Sequence, residues 1–329
     1  MRATVAAISL AAAASRVEAV PLQYLTGAGV KATPVVALTW GVLIISVAVI
    51  VIIGVLLIVA IGRRPGLRLA TGERGPILLE ESGLRWVWIG VGLSALVMLL
   101  TIVWTVKVLA GIQAPGSKPA VTIEVTGRQW WWQAHYLSDD PTQGFMTANE
   151  LHIPAGQPVR LKLMGGDVIH SFWVPQLAGK MDAIPGQVNE TWIEASKPGT
   201  YLGQCTEYCG QQHAHMALRV IADTPDAFRA WWAHQLTAPE EMPGRQDFEE
   251  QCGRCHTVRG TAAAGTLGPN LSHLMQRRTI AAGLLPNDAP DLDRWIADPQ
   301  GLKPGVLMPA VKLPDDQRAR IVLYLTALQ

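Results

Sequence analysis

The sequence predicts a multi-domain membrane protein: a two-helix transmembrane hairpin, then an all-β unit, then a small all-α unit. Three observations carry this. Two long runs without a charged residue lie in the first third. Short alternating strands broken by turn residues follow, and the last part has the spacing of helices. The chain has 329 residues, enough for two or three compact units. Its formal net charge of +1 argues against a nucleic-acid binder. Hydrophobic residues make up 49% and charged residues only 16%, an excess concentrated in the two apolar runs.

The segment 1–31 opens with Arg2 and a small-residue apolar stretch from Ala3 to Ser15, and Val17-Glu18-Ala19 offers a small-x-small cleavage site. A bacterial secretory signal and a retained periplasmic extension both fit. Residues 32–62 hold no charge and are long enough to cross a bilayer, which takes roughly 20 apolar residues. A second spanning run occupies 86–110, with Lys107 near its end placed to snorkel. Trp40, Trp86, Trp88 and Trp104 lie near the segment ends, where interfacial tryptophans gather. The intervening loop, 63–85, carries Arg63, Arg64, Arg68, Arg74 and Arg85, so the positive-inside rule makes it cytoplasmic. Both termini, and everything after about Gly111, then face the periplasm of a bacterial inner membrane.

From 119 to 223 the pattern is that of strands. Val121 to Val125 and Val159 to Leu163 alternate with period two, and Pro154-Ala155-Gly156, Gly165-Gly166, Pro185-Gly186 and Pro198-Gly199 divide the strands. This predicts a sandwich or barrel. Thr224-Pro225 reads as an N-cap with proline at the first helical position, opening a helix-and-linker segment, 224–244. The remainder, 245–329, reads as a small helical unit closed by a helix from Pro314-Asp315 to Leu328.

The four cysteines form two close pairs, which points to two metal or cofactor sites. Cys205, Cys209, His213 and Met216 share one loop, with His170 upstream and Glu207 between the cysteines. Thiolate, imidazole and thioether form a soft ligand set suited to copper. One thiolate, two histidines and a methionine would make a blue-copper site, and the second thiolate allows two bridged copper ions. A disulfide or a zinc site is the competing reading, and neither calls for the full spacing. His215 reads as an ordinary loop histidine. The second pair, Cys252-Gly-Arg-Cys255-His256, has the c-type haem attachment pattern, with a thiol redox pair as the alternative.

The copper loop resembles the dinuclear copper A centre of cytochrome c oxidase subunit II, and the resemblance runs from about Tyr24 to Ala222. It is carried by Gln129-Trp130-Trp131-Trp132, Asp167-Val-Ile-His170-Ser, Asp182-Ala-Ile-Pro185-Gly186 and the loop itself. The resemblance implies a cupredoxin-like fold with His170, Cys205, Cys209, His213 and Met216 as copper ligands. It implies that Glu207 gives its carbonyl to copper and its carboxylate to a magnesium ion shared with subunit I. It also implies that Trp130 is where electrons arrive from cytochrome c. In the last unit, Gly268-Pro269-Asn270-Leu271 and Lys303-Pro304-Gly305-Val-Leu-Met308-Pro309 resemble class I cytochromes c. Cys252 and Cys255 are then the covalent haem attachments, and His256 and Met308 the axial ligands. Met275 is the rival, placed by its leucine-rich surroundings in the core. His/Met ligation raises the haem potential.

The sequence departs from the family pattern at one point. A glutamate that the family commonly places three residues before the tryptophan of the second helix, where it helps protons reach subunit I, is Gly83 here. Glu80 and Glu81 are out of register. The combined expectation is a caa-type subunit II that accepts electrons at its own haem c, from cytochrome c or a similar donor, and passes them to copper A. Subunit I, with an a-type haem and copper B, would reduce oxygen with proton pumping, and subunit III is the further expected partner. A subunit of a copper-A nitric oxide reductase and a membrane-anchored copper-binding protein are the alternatives.

Overall fold

The computed structural model describes residues 22–62 and 81–329. The candidate signal segment up to residue 21, the loop arginines Arg63 to Arg74 and Glu80 lie outside the described residues.

Two helices come first, α1 (Ala32–Gly62) and α2 (Glu81–Ile112). Both are long and apolar enough to cross a membrane, and their apolar windows are unburied by the rest of the chain. Their outward Ile, Val and Leu side chains therefore need lipid or a partner. The hydroxyls of Thr101 and Thr105 donate to the carbonyls of Val97 and Thr101 at 2.8 Å each, so these two side chains bring no open donor into the span. Gly41 lets α1 approach α2, since a Cβ there would run into the Trp104 ring. The helix α2 starts at Glu81, five residues before the expected 86, and runs past 110 to Ile112. No proline interrupts Glu81 to Arg85, so the hydrogen-bond ladder extends beyond the apolar span.

The start of α1 and the end of α2 are both fastened to the β unit. Lys31 Nζ donates to Thr191 Oγ1 at 2.9 Å and lies over the Trp192 ring, whose Nε1 donates to the Gln113 carbonyl at 3.3 Å. The amides of Ala28 and Gly29 donate to the Gln176 carbonyl at 2.9 Å. Both segments that flank the membrane spans are thus held by the sandwich.

Ten strands make that sandwich: β1 (Val121–Arg128), β2 (Trp131–Leu137), β3 (Phe145–Ala148), β4 (Glu150–Pro154), β5 (Val159–Gly165), β6 (His170–Trp173), β7 (Met181–Ala183), β8 (Asn189–Ile193), β9 (Gly199–Cys205) and β10 (Ala217–Asp223). One sheet has the order β3-β2-β1-β5-β8 and the other β4-β10-β9-β6-β7. The pairs β1/β5 and β10/β4 are parallel and the remaining pairs antiparallel. Alternation does the work the sequence implied: Ile123, Val125, Trp132, Ala134 and Tyr136 point inward from one sheet, and Leu151, Ile153 and Val220 from the other. Thr224 caps α3 (Pro225–Gln235), its side chain accepting from the Ala227 amide at 3.3 Å. Trp231 and Trp232 then pack on Tyr136 and Phe145 with ring centroids 5.0–5.5 Å apart.

The last unit holds α4 (Arg245–Gln251), a two-stranded ribbon of β11 (Thr279–Ile280) and β12 (Leu285–Pro286), α5 (Ala289–Ala297), α6 (Pro299–Leu302) and α7 (Asp315–Thr326). Its core is Phe248, Leu292, Ile296, Ile321, Tyr324, Leu325 and Leu328, with α4 and α5 both laid on α7.

Candidate metal centres

The first centre is assembled by strand pairing. In β6/β9 pairing Phe172 is opposite Cys205, which brings His170, at the head of β6, beside the end of β9. The loop from Thr206 to Met216 leaves β9 and returns to β10. The Cys205 amide closes it by donating to the Met216 carbonyl at 3.0 Å. Inside, Cys205 Sγ lies 3.8 Å from Cys209 Sγ and 3.9 Å from His170 Nδ1. Cys209 Sγ lies 3.5 Å from His213 Nδ1 and 3.8 Å from Met216 Sδ. The Glu207 carbonyl oxygen is 3.3 Å from Cys205 Sγ. Both cysteines are free, and His170, Cys205, Cys209 and Met216 are all buried.

Such a set of soft donors around one buried point fits copper, which thiolate, imidazole and thioether select. The carboxylate of Asp167 fixes the imidazole: its Oδ1 accepts from His170 Nε2 at 2.7 Å, which leaves Nδ1 for the sulfur side. The same carboxylate accepts from the amides of Gln129 and Val168, both at 2.7 Å. Gly127 makes room for the ring, because a Cβ there would sit 2.7 Å from it. A hydrogen bond from the Cys209 thiol pulls the Cys205 thiol down to about 4, and Cys209 is pushed up as the partner that keeps its proton. Burial opposes the charged form of His170, and the bonds to Cys205 and Asp167 outweigh it, so its pKa rises.

Trp130 is 7% exposed, and its Nε1 donates to the Cys209 carbonyl at 2.9 Å. Gln129 Nε2 donates to the same oxygen at 2.7 Å. The Glu207 carboxylate points outward and comes within 3.7 Å of Lys180 Nζ. His215 stands apart from the cluster, its Nδ1 bonded to Gln212 Oε1 at 2.6 Å.

The second centre is an apolar cavity in the helical unit. Its wall includes Cys252, His256, Pro269, Leu271, Ile280, Trp295 and Met308. The turn after α4 sets the attachment residues: the amides of Cys255 and His256 both donate to the Cys252 carbonyl at 3.0 Å. His256 Nδ1 donates to the Pro269 carbonyl at 2.8 Å, leaving Nε2 free to face an iron. Burial lowers its pKa and keeps the imidazole neutral, the form a metal needs. A Cβ at Gly268 would stand 2.5 Å from the His256 ring. Met275 packs against the core, and its amide donates to the Leu328 carbonyl at 2.9 Å. Arg277 also lines the cavity; burial lowers its guanidinium to about 10, and its Nε has no partner. Another of its nitrogens donates to the Asn270 carbonyl, and a half-buried guanidinium with one free N–H at the rim of an apolar slot fits the anionic carboxylate edge of a porphyrin.

Sequence reasoning missed four residues around these centres. Asp167 lies three residues before His170 in a motif that assigns it no role, and Arg277 gives no signal in the sequence beyond its charge. Asn149, from the β unit, lines the haem cavity, and its Oδ1 accepts from the Trp132 amide at 2.9 Å. The Trp132 ring in turn packs edge-on against His170 at 5.9 Å. Lys303 was read only as part of a cytochrome-like motif. It is 2% exposed, and burial pulls its ammonium down to about 7.

A membrane-anchored cupredoxin-like sandwich joined to a c-type cytochrome unit is the class these features define. The family model for the cytochrome c oxidase subunit II periplasmic domain matches residues 133–223, and that for cytochrome c matches 242–329. The cytochrome c oxidase subunit 2 of Bacillus sp. (strain PS3) is 30% identical over 285 residues, covering 78% of each chain. That of Alkalihalophilus pseudofirmus is 41% identical over 218 residues, covering 64% of this chain and 61% of the relative. The crystal structure of the periplasmic domain of cytochrome oxidase subunit II (CoxB) of Bradyrhizobium japonicum is 34% identical with a TM-score of 0.34. It covers 36% of this chain and 95% of that one. The chain belongs to the cytochrome c oxidase subunit 2 family.

Proposed function

We propose that this chain is the electron-input subunit of a proton-pumping cytochrome c oxidase, working with subunit I and subunit III in a bacterial inner membrane. When bound, a covalent haem c and a dinuclear copper A supply one-electron relay chemistry, from a periplasmic cytochrome c or similar donor to subunit I, where oxygen is reduced to water. His170, Cys205, Cys209, His213, Met216 and the Glu207 carbonyl hold the copper pair. Cys252 and Cys255 tether the haem, and His256 and Met308 ligate its iron. Glu207 offers a single outward carboxylate, so a magnesium ion held there would need its remaining ligands from subunit I.

The observation that carries this reading is the junction between the centres. Trp130 bonds the backbone of the ligand Cys209 on one side. On the other it meets the segment leading to Met308, where a Cβ on Gly305 would be 3.2 Å from its ring. The chain's own part is to hold rigid ligands in dry surroundings, so that geometry changes little as an electron passes. His170→Ala should abolish the near-infrared copper absorption and donor-driven turnover of the purified complex. Persistent turnover would overturn the assignment.

A further inference from the structure

The amine of Lys303 makes three hydrogen bonds, and all go to backbone carbonyls. Nζ donates to Trp130 at 2.9 Å, to His215 at 2.7 Å and to Ala281 at 2.8 Å. An ammonium has three N–H donors, so the group is saturated. Two acceptors belong to the β unit and the third to its own unit, so the side chain works as a rivet through the contact. Its neighbours bind the same way. Gln212 Nε2 donates to the Pro304 carbonyl at 2.9 Å, and the Ala217 amide donates to Ala282 at 3.1 Å. Glu150, buried in the β unit, accepts from the amides of Arg278 and Thr279 at 2.9 and 3.2 Å.

We propose that Lys303 is a positioning residue that seats the haem-binding unit on Trp130 and so sets the rate of transfer between the two centres. This deepens the relay reading and rests on it. The step itself moves one electron from reduced haem to the oxidised copper pair, and no bond forms or breaks. Without the ammonium, three carbonyls face each other in a dry contact, and the seated arrangement loses to an open one. Opening has a second consequence. The seated unit covers Trp130, so release exposes it to soluble donors.

The test is Lys303→Met in the full chain assembled with subunit I, with hydrogen exchange read at the Ala217, Arg278 and Thr279 amides. Exchange there should rise by roughly tenfold or more, the factor that one lost charge-assisted hydrogen bond implies. Stopped-flow haem-to-copper transfer should slow, while soluble cytochrome c gains direct reduction of the copper centre. The haem spectrum and the near-infrared copper band should stay as in the wild type. Wild-type exchange and an unchanged transfer rate would overturn the proposal. If Lys303→Met fails to load either centre, the same exchange is read in Lys303→Gln, whose uncharged amide has two N–H donors for the three carbonyls: faster exchange supports the proposal, and wild-type exchange overturns it. A wild-type chain with no haem-to-copper transfer would instead sink the relay reading.

Discussion

Asp167 offers the sharpest test of how the copper ligands are held. Its Oδ1 accepts from His170 Nε2 at 2.7 Å and its Oδ2 from the Gln129 amide at 2.7 Å, one residue from Trp130. Asp167→Asn keeps the shape but can place only one accepting oxygen. Its amide nitrogen must then face either the imidazole N–H or the Gln129 N–H, two donors together. The variant loses one charge-assisted bond, about 1.5–3 kcal/mol, which is roughly one to two decades of binding. Asp167→Ala loses all three bonds the carboxylate accepts, from His170, Gln129 and Val168, and frees the ring. Copper affinity should fall about tenfold in Asp167→Asn and up to about a hundredfold in Asp167→Ala, in line with the usual effect of an outer partner. The assay is competition against a chelator of known affinity, followed by the near-infrared band. Wild-type affinity in both variants would refute the claim that Asp167 fixes His170.

Gly268→Ala should push the His256 ring from its place, since the new Cβ would meet it at 2.5 Å; optical spectra should show lost or altered axial ligation and lower haem content. Leu161→Ala removes a side chain with no exposed surface from the sandwich core and should cost about 2–5 kcal/mol, read from the denaturant midpoint. In the helical unit, the Arg320 guanidinium beside Asp247 holds that carboxyl below its ordinary 3.8, as it does for Asp316. A depressed folded pKa gives stability that is present above 3.8 and lost as the pH falls through the folded value. Acid unfolding of this unit should therefore shift to higher pH in Arg320→Ala, and an unshifted midpoint would remove these pairs from the account.

The parts of this fold that were legible in the sequence are those set by short-range chemistry. Uncharged runs give membrane helices because lipid penalises every charge in them. Val121 to Val125 gave a strand because alternation survives only where one face is buried. The copper loop was legible because its ligands crowd into one stretch, and the haem turn because two thiols and a histidine must share a few residues. The helix boundary at Glu81 was not legible, since composition marks where lipid begins and not where a hydrogen-bond ladder stops.

Long-range partners were illegible for a different reason. Asp167 and Gln129 are joined only because β1 pairs with β5 in parallel, a register no local pattern reveals. Lys303 is the extreme case. A lysine before Pro304-Gly305 reads as a solvated loop residue, because burying an ammonium is costly unless acceptors are waiting. The acceptors come from Trp130, His215 and Ala281, three places far apart in the chain, and two belong to the other unit. The cost of burial therefore falls due only when the two units separate or mispair, which ties the charge to their contact rather than to either fold. A substitution at Lys303 should accordingly leave the unfolding of each unit nearly unchanged while loosening their seam, whereas Leu161→Ala should do the reverse. Measuring both variants by exchange at Ala217 and by denaturant midpoint separates seam from core.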